Sequence, residues 1–118
     1  MIYHIANSED LERGRATGEY CCASLATEGF IHCCTAEQLS GVVERYYQGA
    51  PELQLLTLDP SALVDPPVWE NTSGTEELFP HVYQAIPLQA IVDATSFEPD
   101  QLECLQMAHP YLSRSDAG

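Results

Sequence analysis

The chain has 118 residues, 45% of them hydrophobic, which suits one folded domain with a core and argues against disorder. It carries 18 acidic and 4 basic side chains, a net charge of −14, and no Lys. With only Arg13, Arg15, Arg45 and Arg114 to neutralise phosphates, nucleic acid and anionic membrane surfaces are disfavoured as partners.

Ile2 to Ile5 reads as a first strand, and Asn7-Ser8-Glu9-Asp10 as a helix start with a capping side chain and early acids. That helix is expected to end near Gly14 or Gly18, with a turn-rich stretch following to about Glu28. Gly29 to Cys33 reads as a second strand. Thr35 and Gln38 form a capping box, and Leu39, Val42, Val43, Tyr46 and Tyr47 then make one apolar helical face, stopped by Gly49 and Pro51. Leu53 to Leu58 is a buried strand ended by Asp59-Pro60, after which Pro60 to Leu63 suits one helical turn. Val68-Trp69-Glu70 is a short strand, followed by a polar turn at 71–75. Leu78 to Tyr83 and Ile91 to Phe97 are two more strands, joined through Ile86-Pro87, and Pro80 places the former at a sheet edge or a bulge. Asp100 to about Ala108 is a last helix, and Ser113 to Gly118 a loose tail. The fold class is α+β, a single domain over 1–97 with a C-terminal helix and tail over 98–118 on or beside it.

No apolar run approaches the roughly 18 residues needed to span a bilayer. Met1 to Ile5 has neither a basic region nor a long apolar one, so the expected compartment is the cytosol. Cys21, Cys22, Cys33, Cys34 and Cys104 are odd in number and include two adjacent pairs, which argues against a disulfide framework. Adjacent cysteines rarely reach one metal together, so small buried hydrophobes are expected, with zinc as the alternative.

Three histidines lie in strand-like segments: His4, His32 and His81. Strand alternation puts His32 on a face with Phe30 and Cys34, and Glu77, Phe79, His81 and Tyr83 on another common face. Each histidine alone is accounted for more simply as a partly buried ring bonded to backbone or water; the three together are more suggestive. No HxH or HExxH spacing supports a metal, and no phosphate-binding glycine loop or GxSxG is present. The cysteines have no Lys beside them to make a nucleophilic thiolate. Among the acids, Glu70, Glu76 and Glu77 flank the turn after Trp69 and suit a solvated surface. Glu77 is singled out because it opens the strand carrying His81 and Tyr83. Thr35 could bond a ligand, although its capping role explains it fully.

The segments Ile2-Tyr3-His4-Ile5, Ser24 to Cys33 (SLATEGFIHC) and Glu77 to Tyr83 (ELFPHVY) resemble the bacterial family called domain of unknown function 952, over roughly residues 1 to 97. Cys34 stands where that family usually has Ser, and Gln84 where it usually has Gly. The resemblance implies a compact ADP-ribosyltransferase-like fold, in which two small antiparallel sheets with two or three helices form a cleft for NAD. It implies His4 as a ribose contact and a catalytic Glu on a late strand. Glu77 is the nearest acid; counted strictly back from Tyr83, Phe79 would stand there and the site would lack a carboxylate. Tyr83 or Tyr46 would stack on nicotinamide. The candidate site is therefore Glu77 and His81 as catalytic residues, and Tyr3, His4, His32, Thr35 and Tyr83 as ligand contacts, with no metal ligand. NAD is the expected substrate or ligand, and no other cofactor is expected. Two functions follow: an ADP-ribosyltransferase or NAD glycohydrolase, or a non-catalytic module binding a nucleotide-like molecule or a protein.

Overall fold

Strand β1, Ile2–Ala6, is buried along its whole length. Its alternating side chains feed two cores, Ile2 and Ala6 into one and Tyr3 and Ile5 into the other. Strand β4, Leu53–Leu58, does the same, with Leu56 and Leu58 on one side and Leu53 and Leu55 on the other. The computed structural model describes residues 1–71 and 77–109. Most of the expected turn at 71–75, Glu76, Arg114 and the tail at 113–118 lie outside them.

β1 and β4 pair antiparallel, with Tyr3 opposite Thr57, and β8, Ile91–Phe97, completes this sheet on the far edge of β4. Three small sheets are described, not the two expected. The second joins β2, Glu19–Tyr20, to β7, Ile86–Pro87; the third has the order β3-β6-β5, from Ile31–His32, Phe79–Val82 and Val68–Glu70. All pairings are antiparallel.

The segment around β3 connects two of these sheets. Ile31 and His32 pair with Val82 and His81, and the Cys33 N–H bonds the Pro80 carbonyl at 3.1 Å. Cys34 then exchanges two backbone bonds of 2.8 Å with Tyr3 of β1. This corrects the edge position expected for Pro80: β6 is the middle strand, and Pro80 is buried. A residue's N and C=O point to the same side of a strand, so the missing donor of Pro80 faces β3 where that chain leaves for β1. A proline costs least where the ladder ends.

Helix α1, Ser8–Thr17, is capped by Asn7, whose side chain accepts from the Asp10 N–H at 2.7 Å. It ends at Gly18, whose φ of 98° is the left-handed conformation that closes helices. The stretch expected as turns contains a short helix, α2, Ala23–Thr27. The Thr35–Gln38 capping box forms, with bonds of 3.0 and 3.2 Å. Its first turn is tight, through Gln38 N–H to Thr35 O and Leu39 N–H to Ala36 O, so α3 proper spans Leu39–Tyr46. Leu39 and Val43 are buried, but Tyr46 is 64% exposed, so the apolar face is narrower than expected. After β8, a tight turn at Pro99–Gln101 leads into α4, Leu102–Ala108, and Leu102 docks beside Phe97 in the second core. Among the described residues no helix is long and apolar enough to cross a membrane.

Candidate functional site

His4 is held between two elements. Its Nδ1 lies 2.6 Å from the His32 carbonyl oxygen and its Nε2 2.7 Å from the Tyr20 hydroxyl. A carbonyl can only accept, so Nδ1 carries the proton and Nε2 accepts from Tyr20. Burial pulls the His4 pKa down from 6.5 to about 4, against the opposing effects of the His32 carbonyl and Asp10. The imidazole is therefore neutral at physiological pH. Burial, with smaller effects from Cys22 and Asp10, raises the Tyr20 pKa, so its hydroxyl remains a donor.

His32 has an exposed side chain, and its Nε2 lies 2.9 Å from Oε2 of Glu28, four residues earlier. On the same face of the sheet, His81 is 1% exposed. Its ring stacks on Phe30 at 4.2 Å and meets His32 edge-on at 5.5 Å. The His81 Nδ1–H donates to Oε1 of Glu70 at 3.0 Å, and the Tyr83 hydroxyl donates to the same oxygen. The Tyr83 bond first, then that of His81, hold the Glu70 carboxyl below the usual carboxylate range, and Glu70 in turn raises the Tyr83 pKa.

A cleft of about 660 Å³ lies beside the Tyr3–Cys34 bridge, with Tyr3, Ile5 and Cys34 in its lining. His4, His32 and His81 all line it, with Tyr3. Val42, Tyr46 and Tyr47 of α3 and its C-terminal cap form an aromatic and aliphatic wall, and Tyr20, Asp10 and Glu28 contribute polar groups. Cys33 and Cys34 lie buried at the cleft wall. Burial and the charge of Glu77 push the Cys34 pKa up to about 12, and burial raises Cys33 as well, so neither is a thiolate. Among the described residues no group of three or more His, Cys, Asp or Glu could hold a metal ion.

Of the residues expected from sequence, Tyr3, His4, His32 and His81 therefore come together at one cleft. His4 arrives with both ring nitrogens engaged, so it braces the wall unless a ligand displaces Tyr20. Thr35 is occupied by its capping bonds and stands outside the lining. Tyr83 points to Glu70 and also lies outside the lining. Glu77 is exposed, 3.8 Å from Arg45, and does not line the cleft; the strand it was expected to open begins at Phe79. Sequence reasoning missed Glu28, Glu70 and Tyr20. Glu28 had a local signal, an acid four residues before a histidine. Glu70 had none, because its place beside His81 depends on the register that sets Val68 opposite His81.

Protein CC0527 from Caulobacter crescentus has the same fold. Its crystal structure is 25% identical, with a TM-score of 0.72, covering 80% of this chain and 83% of that one. A crystal structure of a double mutant of CC0527 is 24% identical, with the same TM-score and coverage. Its solution structure is 23% identical, with a TM-score of 0.74, covering 90% of this chain and 97% of that one. No curated protein matches. The sequence profile of the family described as protein of unknown function (DUF952) matches residues 5–94, and the chain belongs to that family.

Proposed function

We propose that the protein is a small-molecule-binding domain whose cleft takes the ribose-bearing part of a nucleotide-like ligand. One observation carries this reading: imidazoles from β1, β3 and β6 line a single cleft of about 660 Å³ beside Glu28. That volume suits a compact ligand, and a mostly apolar wall with a few converging polar groups is the usual composition of such sites. Glu28 can accept from a sugar hydroxyl while His32 donates or accepts, and Tyr46 and Tyr47 offer faces to a base. The cleft lies between the β1-β4-β8 sheet and the β3-β6-β5 sheet, which supports the ADP-ribosyltransferase-like arrangement implied by the sequence resemblance. On this reading the domain binds and does not catalyse, because Glu77 stands away from the cleft.

A second reading, NAD glycohydrolysis or ADP-ribosyl transfer, is favoured by Glu28. A carboxylate in the cleft beside His32 could take the part first given to Glu77, stabilising positive charge that develops on the ribose as the nicotinamide bond breaks. Calorimetry with adenosine, ADP-ribose and NAD, together with a nicotinamide-release assay, separates the two. Saturable binding that weakens about tenfold or more in His32→Ala, with no nicotinamide released at millimolar NAD, supports the binding domain. Release that disappears in Glu28→Gln supports the enzyme. Failure of all three compounds to bind overturns both.

A further inference from the structure

The charges around the cleft separate one class of nucleotide-like ligand from another. Two carboxylates line it, Asp10 and Glu28. Among the described residues no Arg lines it, and the chain has no Lys. Arg13 is bonded to Asp10 at 2.8 Å, Arg15 to Glu12 at 2.8 Å, and Arg45 sits 3.8 Å from Glu77. His4 is neutral, and His32 and His81 each have a carboxylate, at 2.9 and 3.0 Å respectively. Phosphate sites are built from Arg or Lys side chains or from the start of a substantial helix. The cleft has neither cation among its lining groups. Asn7 and Asp10 bring the start of α1 to it, but that first turn already carries the carboxylates of Glu9 and Asp10, and the Asn7 side chain takes the Asp10 N–H, while α2 has only five residues.

We infer that the cleft selects uncharged or cationic nucleosides and discriminates against their 5′-phosphates. The inference rests on the ribose-binding reading above and adds the charge class of the ligand. A phosphate brought near the cleft meets the Glu28 carboxylate and Asp10, whose Arg13 partner stands outside the lining, in a chain whose net charge is −14. At the intermediate dielectric of a partly open site, one like charge several ångströms away weakens binding about tenfold or more. A cationic ring gains instead, from the same carboxylates and from the faces of Tyr46 and Tyr47.

Calorimetry compares adenosine with adenosine 5′-monophosphate, and nicotinamide riboside with nicotinamide mononucleotide, on the full chain at low and at moderate salt. Each nucleoside is expected to bind about tenfold or more tightly than its phosphate at low salt, with the gap narrowing as salt rises. Glu28→Gln, at an exposed position, and Asp10→Asn should each narrow the gap, and circular dichroism checks that both variants fold. Phosphates that bind as tightly as the nucleosides, or more tightly, overturn this inference and leave the ribose-binding reading standing. A gap that stays intact in both variants removes the carboxylates as its cause and overturns the inference too. Binding of neither class overturns both readings.

Discussion

The Nδ1 of His4 donates to the carbonyl of His32 across 2.6 Å, linking β1 to β3 just beyond the point where their backbone pairing stops. The opposite ring nitrogen accepts from Tyr20, so one side chain ties together three elements that share no continuous ladder. Tyr20 is fully buried, and removing its hydroxyl leaves an imidazole nitrogen inside the protein without its donor. Tyr20→Phe is expected to cost about 1–3 kcal/mol. His4→Ala, which also leaves a cavity, is expected to cost about 2–5 kcal/mol. Urea unfolding at neutral pH measures both; a loss within error in each would mean that the link contributes nothing.

Acid should weaken the protein through the same ring. The folded His4 has a pKa of about 4, against an ordinary value of 6.5. Between those values the unfolded chain binds a proton that the folded chain refuses, so the contribution is complete above pH 6.5 and is lost as pH falls toward 4. The loss amounts to about 3 kcal/mol. Glu70 acts in the same sense but lower, because its depressed pKa matters only below its ordinary 4.5. Denaturant midpoints measured from neutral pH down to about pH 4 should decline in the wild type. They should decline much less between about pH 6.5 and 4.5 in His4→Leu.

Tyr83 and Glu70 hold each other's protonation state. The carboxylate raises the Tyr83 pKa above 10, and the hydroxyl lowers that of Glu70. In Glu70→Gln the Tyr83 titration should return toward the ordinary tyrosine value, read as a difference in alkaline ultraviolet titration between variant and wild type. In Tyr83→Phe the Glu70 carboxyl should titrate at higher pH, read by carbon-detected NMR of the carboxyl. Unchanged titrations in both variants would show that the shared bond is not made in solution.

Two helical glycines should answer alanine in opposite directions. A Cβ on Gly14 would lie 3.0 Å from the Tyr20 Cα and 3.2 Å from the Glu19 oxygen, both backbone. The helical gain of alanine, about 1 kcal/mol, is outweighed by a crowding cost of about 1–3 kcal/mol. A Cβ on Gly41 meets only the end of the Arg45 side chain at 3.5 Å, an ordinary contact. Gly41→Ala is therefore expected to raise stability by up to about 1 kcal/mol, and Gly14→Ala to lower it. Thermal melts of the two variants beside wild type make the comparison.

Local chemistry already marked most of the elements. Asn7 capped the first helix and Gly18 closed it; Leu53–Leu58, Val68–Glu70 and Ile91–Phe97 form strands with the bounds expected. The paired strands Glu19–Tyr20 and Ile86–Pro87 were not foreseen, since two residues carry no periodicity. The same limit hid helix Ala23–Thr27 and shortened the strand expected over Gly29–Cys33. At the site, the three expected histidines converge, while the acid singled out, Glu77, faces Arg45.

From its residues alone, then, the chain declares an acidic α+β domain, its helix ends, its longer strands and the histidines worth watching. Those properties are set by side-chain charge, capping and alternation over a few neighbouring positions. Which acid serves which histidine was decided by the tertiary structure. Glu70 reaches His81 only through the β5–β6 register, and His4 reaches His32 only because the chain at Cys34 crosses from one sheet to another. Contacts of that kind depend on strands meeting across long stretches of chain, and local sequence patterns carry no record of the register in which they meet.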